Sequence, residues 1–379
     1  MIIFENKKNL KFLIIIITFI CFIFLTNNSA EILSKNVKSG ASSIYYYLSI
    51  SENFPEAASV INYHHAQRFI IPYTIGFISK IFSIDLSYIF KILVITELLL
   101  IFFIKSKLIK IFKLDFFTSI IFYSIFIFNP YILRYFIIYP EMIVDLTFIL
   151  SGYLFIFSII SNNLKYFFIA FILAFISRQT GIAFYLSFVI CVLFFKNNLL
   201  INKKNLILIS FLFIIIYFLN RWYLNKVGLN EFPFDAVLGL FKFLLFNFNF
   251  YDLLIFLLFP FLGLFPFVIL IFNKKFEINK IFNNSESLFL FFSLLIIISQ
   301  PYLGGPFWTG KNIIRLVILS YPIIFYLIFF SSKQYKEYSK SFKVISLILL
   351  LVWSLHPSYS KIKIFKTFNV QPLIKPLIE

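Results

Sequence analysis

Long uninterrupted apolar blocks decide what this chain can fold into. The runs 205–220 and 251–272 are nearly free of charge and approach the ~20 residues a helix needs to cross the hydrocarbon core of a bilayer. Similar blocks recur along the 379 residues, of which 61% are hydrophobic and 13% charged, against roughly half apolar and a quarter charged in a soluble domain. Too much apolar surface is present for one water-soluble core. In lipid, a spanning segment must satisfy its backbone internally, which leaves helices as the reading for blocks of this length. The sequence therefore predicts an all-α polytopic membrane protein.

The apolar runs suggest about eleven spans (10 to 12) in one transmembrane domain over 1–355, with a tail at 356–379. They are 10–26, 86–104, 115–128, 141–160, 166–177, 180–195, 205–220, 251–272, 287–300, 313–331 and 343–355. The run 12–25 follows Lys7, Lys8 and Lys11 and reads as an uncleaved first span, because "NNSA" is a poor cleavage site. Two longer polar pieces remain. One is a first outer loop at 27–85, with a short surface helix at 68–83, and the other is 221–250.

Lysines orient the bundle. With the N-terminus inside, the inner segments collect Lys105, Lys107, Lys110 and Lys113, then Lys165, then Lys196, Lys203 and Lys204. Lys274, Lys275 and Lys280 follow, and then Lys333, Lys336, Lys340 and Lys343. This is a positive-inside distribution. It accounts for much of the +18 net charge without a nucleic-acid partner, and the 58 phenylalanines fit a drift toward AT-rich codons. Cys21 and Cys191 both sit in apolar runs, so there is neither a disulfide framework nor a metal-type cysteine spacing.

The five arginines behave differently from the lysines. Arg68, Arg134, Arg178, Arg221 and Arg315 all fall at or just below the outer surface in this topology. Guanidinium grips phosphate or carboxylate with two parallel hydrogen bonds, which an ammonium does not. One reading has them snorkelling to headgroups or pairing with nearby acids; the other has them gathered around an anion.

Other polar residues join them. "RYFIIYPEMIVDLTF" starts a helix at Pro140 and puts Glu141 and Asp145 four apart on one face. Glu141 suits a helix N-terminus, whereas Asp145 lies a turn deeper and requires a partner or a polar cavity. "FISRQTGIAF" interrupts an apolar stretch that would be roughly 45 Å long as one helix, so Arg178 and Gln179 belong to a break at the outer surface. "QPYLGGPFWTGKNIIRL" carries Gly304, Gly305 and Gly310 ahead of Lys311 and Arg315. It reads as a glycine-rich anion cradle, with Trp308 either stacking on a sugar or anchoring at the interface. "NYHHAQRF" brings His64, His65 and Arg68 to the level of the other arginines; adjacent histidines point in different directions, so they do not form a two-histidine metal site.

The layout resembles the GT-C superfamily of membrane glycosyltransferases, which includes protein mannosyltransferases and aminoarabinose transferases. The resemblance covers most of the chain and rests on "SSIYYYLSI", "HHAQRFIIPYTIG", "RYFIIYPEMIVD", "SRQTGIAF" and "NIIRLVILSYP". It implies transfer of a sugar from a polyprenyl-phosphate donor to an acceptor at the outer face, with membrane lipids as surroundings. The family's catalytic acid early in the first outer loop is here replaced by Ser42 and Ser43. Asp145, Glu141 or Glu56 is then the expected base. The expected substrate contacts are Arg68, His64, His65, Arg134, Arg178, Gln179, Trp308, Lys311 and Arg315. No cofactor is identified, and no spacing indicates a divalent metal. The competing classes are a polysaccharide polymerase or ligase, which wants its large loop late in the chain, and a lipid or solute transporter, which wants internal repeats.

Reporter fusions after residue 55 and after residue 110 are expected to lie on opposite sides of the membrane, the first outside. The same side for both would overturn the orientation of every residue named above.

Overall fold

The computed structural model describes residues 43–58, 61–127, 129, 132–195, 198–229, 238–271, 274–308, 313–334 and 339–355. The expected first span 10–26 and the tail 356–379 lie outside them. Almost all of the described chain is helical. The segment expected as the first outer loop holds α1 (Ser43–Glu52), the single turn α2 (Tyr63–Ala66) and α3 (Ile70–Phe82). Then come α4 (Leu86–Ile111), α5 (Phe116–Ile127), the short α6 (Leu133–Ile138) and α7 (Ile143–Ser161), which is entered through a 3-10 turn at Pro140–Met142. Helix α8 (Leu164–Ser177) and helix α9 (Ile182–Phe194) are separated by another 3-10 turn, Gln179–Gly181. Next are α10 (Lys203–Val227), α11 (Gly239–Phe246), α12 (Phe250–Ile271), β1 (Lys274–Phe276) and α13 (Ile278–Phe282). The remainder is α14 (Ser285–Trp308), α15 (Ile313–Ile318), α16 (Tyr321–Ser331), β2 (Ser332–Gln334) and α17 (Lys340–Leu355). β1 and β2 pair antiparallel, Lys275 opposite Lys333, and tie together two of the lysine-bearing segments assigned to the inner side.

Among the described residues, four helices are long and apolar enough to cross a membrane: Leu86–Ile111, Pro140–Ser161, Lys203–Val227 and Ser285–Gly305. A fifth arises if Phe250–Leu258 and Gly263–Ile271, which meet at 51°, count as one bent span. The chain is thus a helical protein of membrane type. The expected spans 115–128, 166–177 and 180–195 are shorter apolar helices, and 313–331 is divided at Leu319–Ser320 into α15 and the short apolar α16. The helix start signals are conventional. Asp85 accepts from the Ser87 amide (2.7 Å) ahead of α4, and Asn163 and Asn202 cap α8 and α10 in the same way.

Helix α7 is the axis of the bundle. It packs along α8, α4 and α16, and its apolar side chains are buried around most of its circumference. Gly152 lets α16 come close, since a Cβ there would lie 3.0 Å from Pro322 Cγ; small residues play this part where lipid supplies no hydrophobic drive between helices. One turn further, Phe155 has ring centroids at 4.4 Å (Phe184), 4.8 Å (Phe171), 5.4 Å (Phe289) and 5.6 Å (Phe167), so four helices meet on one ring. The phenylalanine excess is therefore put to structural use, whatever its codon origin.

Two sequence expectations are corrected here. Lys105 is not a solvated residue of the inner loop: α4 continues to Ile111, and Lys105 is fully buried. Its Nζ donates to the Phe122 carbonyl (2.8 Å) and the Tyr153 hydroxyl (3.4 Å), and it sits 4.1 Å from the Phe122 ring centroid, a cation–π site inside the bundle. Lys107, Lys110 and Lys113 remain exposed. Gly304 and Gly305 also do not form a ligand cradle. They lie near the end of α14, which kinks at Gly305 (φ 64°); a Cβ there would lie 2.6 Å from the Leu240 amide nitrogen, so this glycine serves the approach of α11.

Replacing Phe155 by Ala opens a cavity at the junction of α7, α8, α9 and α14. The expected loss is on the order of 2–3 kcal/mol, below the soluble-protein range because no transfer to water is involved. Thermal unfolding in detergent micelles reads it; an unchanged midpoint would refute the hub.

Candidate functional site

The start of α7 and the end of α8 meet through charge. At the end of α8 the backbone of Arg178 is extended (φ −151°, ψ 150°), the Gln179–Gly181 turn follows, and α9 begins. This is the break expected from "SRQTG". It needs a glycine: a Cβ at Gly181 would lie 2.5 Å from the Ala174 carbonyl oxygen. The break turns Arg178 inward, where its Nη1 makes an ion pair with Asp145 Oδ1, both side chains fully buried. Asp145 thus has the partner that its depth demanded. Glu141, a turn earlier, is buried in the 3-10 entry to α7, and α1 packs over that entry.

Next to this pair lies a second layer. Gln179 accepts from Arg68 Nε (2.8 Å) and donates through Nε2 to the His64 carbonyl (2.6 Å). Arg68 Nη1 donates to the Tyr47 hydroxyl (2.9 Å). One glutamine therefore joins the α8–α9 break to the turn α2, and a buried tyrosine of α1 holds the same arginine from the other side. Arg68 is half-buried and has no carboxylate partner among the described residues.

The two histidines part company, as their adjacency required. His65 turns to Asn62, whose Oδ1 is 2.5 Å from its Nδ1, and packs on the rings of Tyr46 (4.8 Å) and Tyr47 (5.2 Å). His64 faces the arginines. Burial, then the positive charges of Arg68 and Arg178, hold its imidazole below the ordinary value of 6.5. Arg221, from the outer end of α10, reaches the Tyr63 hydroxyl of the same turn. Near by, Tyr223 stacks on Phe69 (4.2 Å) and Lys226 Nζ donates to the Pro55 carbonyl (2.6 Å), clamping the outer loop onto the bundle.

Of the expected site residues, Asp145, Arg178, Gln179, Arg68 and His64 come together, with Glu141 beside them. His65 serves as packing for the tyrosines. Glu56 is exposed, and among the described residues no hydrogen bond or ion pair joins it to this cluster, because the loop carries it past the end of α1. Lys311 and the side chains of Arg134, Trp308 and Arg315 lie outside the described residues. Sequence reasoning missed Tyr47 as a site residue, although it lies inside the "IYYYL" stretch; nothing in spacing says which of three tyrosines turns inward. Among the described residues no group of three metal-ligating side chains is present.

No protein-family model matches the chain, and neither a curated protein nor a solved structure matches it.

Asp145→Asn leaves a buried guanidinium facing a neutral amide, and the expected cost is about 3–5 kcal/mol. Adding Arg178→Met to that variant removes the stranded charge and is expected to recover most of the melting temperature. A double variant no better than Asp145→Asn alone would show that the pair is not the coupled unit described.

Proposed function

We propose that this chain is a membrane glycosyltransferase that moves a sugar from a polyprenyl-phosphate carrier to an acceptor at the outer face. The observation that carries this reading is Arg68: a half-buried guanidinium, oriented by two neutral partners, Tyr47 and Gln179, and without a carboxylate partner among the described residues. Such a group is prepared for an anion, and phosphate matches its fork. The resemblance to GT-C enzymes supports the same reading, and so does the position of the cluster at the outer ends of the helices. On this view the chain lies in a bacterial inner membrane with its N-terminus in the cytoplasm, and about eleven helices cross, the shorter ones where the bilayer thins locally or by pairing as half-spans.

In the reaction, the acceptor hydroxyl or amine attacks the anomeric carbon while the bond from that carbon to the phosphate oxygen breaks. The leaving electron pair stays on the phosphate, where Arg68 holds the developing charge. The acceptor proton needs a base. Asp145 is committed to Arg178, which leaves its carboxylate a structural role. Burial, and after it the positive charges of Arg68 and Arg178, disfavours the His64 cation in the free enzyme. A phosphate on Arg68 cancels that repulsion and raises the basicity of His64 when donor is present, so an imidazole nitrogen takes the proton in the complex.

Arg68→Lys keeps the charge and loses the fork; binding of a short-chain polyprenyl phosphate is expected to weaken about tenfold or more. His64→Ala is expected to keep that binding and lose transfer by about a hundredfold or more, measured with radiolabelled polyprenyl-phosphate sugar. The sign of the pH dependence follows from the lowered His64 value. With free enzyme, kcat/KM should hold as pH falls through 6.5 and drop only below it, while the acid limb of kcat should sit higher. Unchanged phosphate binding in Arg68→Lys would sink the anion site, and unchanged transfer in His64→Ala would remove the base.

A further inference from the structure

A second polar site lies deeper, on the seam between α4 and α7. Glu97 contacts Thr147 and Lys105 contacts Tyr153, so the two helices run side by side in the same direction. Glu97 is midway along the 26-residue α4, on a helix whose buried face also carries Val94, Leu98 and Ile101. Its Oε1 is 2.7 Å from Thr147 Oγ1. Its Oε2 is buried and has no hydrogen-bond partner among the described residues. The transfer reading gives this carboxyl nothing to do.

The Thr147 hydroxyl settles what the site holds. That oxygen is also 3.1 Å from the Ile143 carbonyl, and a hydroxyl has a single hydrogen to donate. If Glu97 is a bare carboxylate, Thr147 can serve only one of its two acceptors, and a charge with a single hydrogen bond is left in the membrane interior. If Glu97 carries a proton, its O–H donates to Thr147 Oγ1, Thr147 donates to Ile143, and both short contacts are hydrogen bonds. A metal cation fits poorly, because hard cations take about six oxygen ligands and this corner offers a carboxyl, a hydroxyl and a carbonyl that already accepts.

The charged groups on the packed elements stand off from Glu97. Lys91 and Lys105 are on α4 itself, roughly 9 and 12 Å along the axis by helical rise. On α7 the Asp145 carboxylate is taken by Arg178. Glu141 is in the 3-10 entry, six residues before Thr147, and α3 contributes Lys80, while the side chain of Arg134 on α6 lies outside the described residues. No cation pairs with Glu97 among the described residues.

We propose that Glu97 is a proton-binding site inside the membrane, a neutral carboxylic acid seated on Thr147. The site is separate from the Arg68 cluster, and the inference does not rest on sugar transfer. The test uses the full chain in lipid bilayers near neutral pH. Infrared spectra are expected to show a protonated-acid carbonyl band that is lost in Glu97→Gln and displaced in Thr147→Val. Gln keeps a donor for Thr147, so the variant should fold. As a second measurement on the unaltered chain, a hydrophobic carbodiimide adds the acid's O–H across its C=N bond, and the adduct rearranges to a stable acylurea. Mass spectrometry is expected to find one such adduct, on the peptide containing Glu97. An unchanged carbonyl region in Glu97→Gln, or no adduct at Glu97, would overturn the proposal.

Discussion

The contact between Arg178 and Asp145 is the constraint on which one end of this bundle depends. Neither charge is tolerable alone at that depth, since leaving one partner of a buried pair unmatched costs several kcal/mol. Pairing them sets the angle at which α8 ends against the start of α7. That angle places Gln179, and Gln179 in turn fixes both Arg68 and the backbone of His64. A loop distant in sequence is thereby tied to the bundle by two hydrogen bonds from one side chain.

This gives the two arginines different work. Arg178 is consumed by structure, while Arg68 is held by neutral groups and keeps its charge available. The distinction matters for chemistry because an arginine satisfied by a carboxylate has little left for a phosphate. The same logic separates the acids. Asp145 is an anchor, Glu141 lies buried beside it, and Glu97, lower on the same seam, meets a hydroxyl in place of a cation. Polar groups in this molecule are thus sorted by depth, with charge-paired groups at the outer end and a hydroxyl-paired acid in the middle. Still deeper, Lys105 sits among aromatic rings.

Much of the fold was legible because the physics of the lipid environment acts on local stretches. Helix positions followed from apolar runs, and the break at Arg178–Gly181 followed from a polar insertion in a run too long for one span. Pro140 marked the entry to α7. Span number was less legible. A run such as 313–331 gives no local sign that it is divided at Leu319–Ser320, whereas the run 115–128 is by its length already short of a bilayer crossing.

What the sequence alone determined, then, was the apolar character of the helical segments and the need of Asp145 for a partner. Only the tertiary structure decided who the partners are. Asp145 and Arg178 are 33 residues apart, and Arg68 and Gln179 are 111 apart. No spacing rule reaches across such distances. Lys105 read as a topogenic lysine until α4 proved long enough to bury it, and Gly305 read as ligand-facing until α11 filled the space beside it. The physical reason is common to both. A residue's chemistry states what it requires, and only the packing of helices remote in sequence decides which atom, of the protein or of a ligand, supplies it.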